Sequence, residues 1–168
     1  MIENTKKVFN VILKLSFKER CALGERIANS MLRLEGILAG MDAVTIMKTI
    51  IASMYIDGTF SDIELDYISN ILHLSKEECK YIVNHSDNYI ARTNPEFVFN
   101  EITSRSKNTS CGEDGVGLFF LITSMLACSC DDKVNEKELS CINKYFSKFF
   151  TDNEVDETIS YIKRTLNI

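Results

Sequence analysis

Apolar residues recur at helical spacing along most of the chain. Two stripes have the three-to-four-residue spacing of an amphipathic helix: Val44, Met47, Ile50, Ile51 and Met54, then Leu65, Ile68, Ile71 and Leu72. The segment from Leu118 to Leu126 is apolar on nearly every side, which predicts a central, buried helix. One Pro and seven Gly leave little room for strand turns. The pattern therefore predicts an all-α protein.

Helix starts are marked by capping boxes, in which Ser, Thr or Asn is followed three residues later by Glu. Five such boxes occur: Ser16 with Glu19, Ser61 with Glu64, Ser75 with Glu78, Asn135 with Glu138, and Thr151 with Glu154. Asn94 followed by Pro95 marks a sixth start. The predicted helices span about 4–15, 17–38, 43–56, 62–73, 76–85, 95–106, 116–130, 136–149 and 152–166.

A short acidic segment occurs twice. Asp57 to Leu65 is echoed by Asp131 to Leu139, and an apolar helical run lies on each side of both copies. We call residues 57–64 the first acidic loop and residues 131–138 the second acidic loop. The repetition predicts one domain of eight or nine helices, built from two pseudo-twofold helix–acidic loop–helix repeats at about 43–85 and 116–166. Residues 1–42 are predicted to form an N-terminal helical pair packed on the domain at 43–168.

Charge is distributed unevenly. The chain carries a net charge of −5, yet residues 1–33 hold seven Lys or Arg against three Glu. The acidic body argues against binding to nucleic acid. The basic start either neutralises the acidic body from within or touches an anionic surface. Of these two roles, internal neutralisation is favoured.

The first predicted helix is amphipathic. Val8, Val11, Ile12 and Leu15 share one face, and lysines surround it. This pattern is typical of a helix that covers its own domain, and the alternative is a peripheral membrane contact. No signal peptide or membrane span is recognisable, so a cytoplasmic location is expected.

The acidic loops invite comparison with calcium-binding loops. With Glu64 at position twelve of an EF-hand, positions one and three fall on Ser53 and Tyr55, inside the preceding helix. The second acidic loop has Ala127 and Ser129 there, so neither loop is an ordinary EF-hand. Capping and turn formation explain the same residues, and a weak Ca²⁺ or other divalent-cation site is the alternative. Its candidate ligands are Asp57, Glu64, Asp131, Asp132 and Glu138.

Other chemistry is sparse in this sequence. Cys128 and Cys130 align with Met54 and Ile56 of the first copy, which predicts buried thiols and not a zinc pair. The six Cys lack disulfide-framework spacing and are expected to be reduced. No catalytic motif or nucleotide-binding loop is present, so no catalytic residue and no cofactor are predicted.

The doubled segment resembles the TerB family, the tellurite-resistance-associated domain, and also a domain of membrane-anchored DnaJ-type co-chaperones. The resemblance rests on IIASMYIDGTFSDIE at 50–64 and LACSCDDKVNEKE at 126–138, and covers about residues 43–166. It implies an all-helical repeat fold without known catalysis, and an association with stress response, metal-oxyanion tolerance and membrane-proximal assemblies. Metal binding in the family would map onto Asp57, Glu64, Asp131 and Glu138. This sequence departs from the family at Asp132, where a Gly is usual.

These observations predict a non-enzymatic binding or scaffold module that acts on protein partners through its acidic loops. A cation-responsive regulatory domain of the same fold is the alternative. An enzyme with an unrecognised helical active site is a third hypothesis.

Overall fold

A computed structural model describes residues 2–33, 61–85, 121–149 and 151–168. These residues form seven helices and no strand, which confirms the all-α class for them. The helices are α1 (Ile2–Ile12), α2 (Phe17–Arg33), α3 (Asp62–Leu72), α4 (Lys76–His85), α5 (residues 121–128), α6 (Glu136–Phe149) and α7 (Asp152–Leu166). The helices predicted at 43–56 and 95–106 lie outside the described residues, as does Asp57.

All five predicted capping boxes mark the starts of helices. Ser16, Ser61, Ser75, Asn135 and Thr151 each stand immediately before the first residue of a helix. At Ser75 the backbone N–H donates to Glu78 Oε2 at 2.8 Å, and the Glu78 N–H donates to Ser75 Oγ at 3.1 Å. At Thr151 the backbone N–H donates to Glu154 Oε2 at 2.6 Å. Each box gives partners to backbone donors that the first turn of a helix leaves open.

Helix ends are less well predicted than helix starts. The apolar pattern extends α1 to residue 15, but α1 ends at Ile12. Beyond it the Lys14 N–H donates to Val11 O at 3.2 Å and the Leu15 N–H to Ile12 O at 3.0 Å, which is the tighter 3₁₀ pattern. Leu15 is nevertheless buried, so its place in the apolar pattern reflects core packing in a turn.

Helix α3 also ends earlier than the sequence predicts. His73 follows Leu72 in the left-handed conformation, with φ 54°, and terminates the helix one residue before the predicted end. The Leu74 N–H then donates to Ser69 O at 3.1 Å, which closes the last turn. His73 Nε2 lies 2.8 Å from Glu25 Oε1 of α2.

The described core is built where the helices cross. α1 packs against α6 and α7, α2 packs against α3 and α7, and α3 contacts α4. Val8, Phe9 and Ile12 of α1 are buried, so the apolar face of this helix lies against the domain. Lys6, Lys7 and Lys14 remain exposed.

Helix α5 is the most enclosed element. Every side chain from Leu121 to Cys130 is buried, including the polar Thr123 and Ser124. This confirms the predicted central helix for the part that the structure describes. Because α5 leads directly into the second acidic loop, the loop is anchored to the middle of the core.

Candidate functional site

The second acidic loop is a compact turn between α5 and α6. Asp132 has a positive φ of 64°, the left-handed conformation that favours Gly and that Asp tolerates. The Lys133 N–H donates to Asp131 Oδ1 at 3.1 Å across the turn. Asn135 and Glu138 then exchange hydrogen bonds of 2.7 and 2.9 Å at the start of α6. The sequence predicted a turn and a capping box at these positions.

The described part of the first acidic loop begins at Ser61 and has the same cap geometry. The Ser61 N–H donates to Glu64 Oε2 at 2.5 Å, and the Glu64 N–H donates to Ser61 Oγ at 3.3 Å. Unlike Glu138, which is partly exposed, Glu64 is only 7% exposed. The carboxyl group of Glu64 is therefore largely shielded from solvent.

The two caps meet at one cleft. Its walls combine residues of both acidic loops with the end of α5: Ser61, Ile63, Glu64, Ala127, Cys128, Cys130, Asp131, Asn135 and Glu138. The cleft has a volume of about 140 Å³. Pockets that enclose a small-molecule substrate are usually larger, about 300–1,000 Å³. A cleft of this size suits a single side chain or a hydrated ion.

Three predicted site residues, Glu64, Asp131 and Glu138, contribute to this cleft. Asp132 does not line it, because its Oδ1 lies 2.8 Å from Arg20 Nη2. Among the described residues, no group of three or more His, Cys, Asp or Glu side chains is arranged to hold a metal ion. The carboxyl groups of Glu64, Asp131 and Glu138 nevertheless line the same cleft.

Cys128 and Cys130 form part of the cleft wall but are almost inaccessible, at 3% and 2% exposure. The Cys130 thiol donates to Leu126 O at 3.3 Å. Burial raises the pKa of Cys130, and the nearby Glu64 carboxylate raises it further. Since the thiolate is the nucleophilic form, Cys130 is held in the unreactive form at neutral pH.

Arg20 is the residue that sequence reasoning did not single out. Its side chain is fully buried although it belongs to the basic start of the chain. Nε donates to Ile12 O at 3.2 Å, Nη2 donates to Leu13 O at 3.1 Å, and Nη1 donates to Ser129 O. The ion pair with Asp132 is one contact between the basic start of the chain and its acidic body. The only signal in the sequence was the surplus of basic residues in 1–33.

No protein-family model, curated protein or solved structure matches this chain. Within the described residues, no helix combines the length and the apolar character that crossing a bilayer requires.

Proposed function

We propose that the chain is a non-enzymatic binding module of the TerB type, which recognises protein partners through the surface around its two acidic loops. The observation that carries the proposal is the cleft, to which the capping boxes of both loops contribute. The pseudo-twofold repeat, the division at residue 42 and a cytoplasmic role in stress response or metal-oxyanion tolerance belong to the same proposal. They rest on the doubled acidic segment and on its resemblance to the family.

The chemistry of the cleft favours binding over catalysis. Glu64 and Glu138 accept hydrogen bonds from the backbone as helix caps, and the pKa of Cys130 is raised by burial. A general acid or a nucleophile would need a group with accessible protons or lone pairs near the operating pH. To bind in the cleft, a side chain of a partner needs only a favourable electrostatic interaction with the carboxylates and a complementary shape.

The surface around the cleft has the charge for a basic partner. Asp62 and Asp131 are exposed beside the caps, and Glu136 follows the second cap. Lys133 and Lys137 are interspersed with them, so recognition depends on the positions of the carboxylates more than on net charge. A lysine or arginine of a partner would place its stem against Ile63 and its charge near Asp131.

Affinity capture with purified full-length protein tests the proposal. We expect Asp131→Lys to lose the proteins that wild type retains, since the change puts a like charge beside a basic partner. Asp156→Lys reverses an exposed charge on α7 and should retain them. If both variants lose the captured proteins, or if neither does, the proposal that the acidic-loop surface binds the partner is refuted.

The same experiment discriminates the cation-responsive alternative, for which Glu64, Asp131, Asp132 and Glu138 are the candidate ligands within the described residues. Capture is repeated in excess chelator and at about 1 mM Ca²⁺, within the range of weak calcium sites. Retention that is equal in both conditions supports direct recognition. Retention that needs Ca²⁺ supports the alternative.

A further inference from the structure

Arg20 is a positive charge without any accessible surface. Its backbone carbonyl partners, Ile12, Leu13 and Ser129, belong to the C-terminal ends of α1 and α5. Helix C-termini carry partial negative charge, and two of them converge on one guanidinium. This arrangement explains how the core accommodates Arg20, because burying an unpaired charge costs several kcal/mol.

The remaining partner of Arg20 lies at the surface. The Asp132 side chain is 79% exposed, while the Arg20 side chain to which it is joined is 1% exposed. The pair therefore spans the distance from solvent to the interior. Asp132 also occupies the left-handed position of the second acidic loop, directly after Asp131 of the cleft wall.

We propose that the Arg20–Asp132 pair couples the second acidic loop to the turn between α1 and α2, so that displacing Asp132 from Arg20 loosens that turn. Without Asp132 the guanidinium keeps its carbonyl partners but loses its counter-charge. The hydrogen bonds from the guanidinium to Ile12 O and Leu13 O, which add to the backbone bonds of the turn, are then held less firmly. The coupling is independent of which partner binds the cleft.

Amide hydrogen exchange of the full chain, followed residue by residue by NMR, tests the coupling. Asp132→Asn removes the charge and keeps a residue type that tolerates a positive φ, so the fold should be preserved. We expect exchange of the Lys14 and Leu15 amides to rise by up to about fivefold, because Asn keeps an oxygen acceptor and an ion pair with an exposed carboxylate contributes little. Amides of α7 should keep their wild-type rates.

Asp131→Asn is the matched control, because it removes the same charge one residue earlier. It should affect the Lys133 amide, which bonds to Asp131, and leave the α1–α2 turn unchanged. The proposal is overturned if Asp132→Asn leaves the turn unchanged, or if the turn and α7 accelerate equally, which would indicate a general loss of stability. An equal response of the turn to Asp131→Asn would assign the effect to loop charge and also overturn it.

Arg20→Lys tests the coupling by changing the arginine of the pair instead of the aspartate. Lysine keeps the charge but lacks the planar set of donors that reaches both helix ends. Faster exchange of the Asp132 and Lys133 amides is expected in this variant. Wild-type rates in the loop of the folded variant would contradict a coupling through the guanidinium.

Discussion

Tyr67 of α3 is fully buried, and its hydroxyl has no hydrogen-bond partner in the part of the chain that the structure describes. The ring faces Gly24 of α2, where a Cβ atom would overlap the hydroxyl and lie 2.9 Å from Cζ. Burial raises the pKa of Tyr67 well above its usual value, so the hydroxyl stays protonated. Close approach of the two helices thus depends on a glycine, and the hydroxyl that faces it has no hydrogen-bond partner among the described residues.

Gly24→Ala is expected to destabilise the fold by about 1–3 kcal/mol, the usual cost of overpacking a core. Tyr67→Phe removes the unsatisfied hydroxyl and should leave stability unchanged or raise it by about 1 kcal/mol. The double variant should recover part of the loss, since the closest atom is gone. Urea unfolding of the three variants measures this. Additive effects would show that the hydroxyl is not the source of the clash.

The helices themselves are delimited mainly by local chemistry. Hydrogen bonds from the backbone and side chain of Ser16 lower the pKa of Glu19, and those from Ser75 lower the pKa of Glu78. The side chain and backbone of Thr151 do the same for Glu154. Since each carboxylate accepts bonds as an anion, these caps are strongest when the glutamates are ionised.

The caps make stability depend on pH. The pKa of Glu19, Glu78 and Glu154 is lower in the folded chain than the ordinary value of 4.5. The caps therefore stabilise the fold above that pH. This contribution is lost as the pH falls through the lowered pKa. The triple variant Glu19→Gln, Glu78→Gln and Glu154→Gln should show a shallower fall in unfolding free energy between about pH 5 and pH 2.5. Urea titrations at each pH measure the slope.

A matched triple variant, Glu77→Gln, Glu136→Gln and Glu157→Gln, changes three glutamates that are not part of a capping box. It should retain the steep wild-type slope. If both triple variants flatten the slope equally, the acid sensitivity comes from overall charge and the caps contribute nothing specific.

The N-terminal helix is integrated into the whole molecule. α1 contacts α6 and α7, Asn4 Nδ2 donates to Asp152 Oδ1 at 2.8 Å, and Thr5 Oγ1 donates to Asn143 Oδ1 at 2.9 Å. The end of α1 also supplies carbonyls to Arg20. Residues close to the start of the chain therefore complete the surface of a core formed near its other end.

Deletion of residues 1–15 should consequently destabilise the remaining domain. Val8, Phe9 and Ile12 are buried by at least 97%, and each such side chain contributes about 1.5–3 kcal/mol. We expect a lower midpoint of thermal unfolding and faster cleavage by protease in residues 136–166. Lys7→Glu in the full chain is the control, because it changes the exposed side of α1 without touching the core. A truncated protein as stable as the full chain would contradict this role.

The sequence alone determined the all-α class and the starts of five described helices, because a capping box needs only residues three positions apart. It also determined the turn at Asp131 and Asp132, and the burial of α5, since periodicity and turn chemistry are local properties. The end of α1 was not determined, because Leu15 is apolar for packing reasons although it lies in a turn.

The placement of Arg20 and the cleft depended on tertiary structure. Arg20 is distant in sequence from Ser129 and Asp132, and nothing local distinguishes it from an exposed basic residue. Glu64 and Glu138 were expected to cap separate helices, and packing of the chain brings both to one cleft. Long-range contacts of this kind depend on how helices pack, which the spacing of residues along a single chain does not specify.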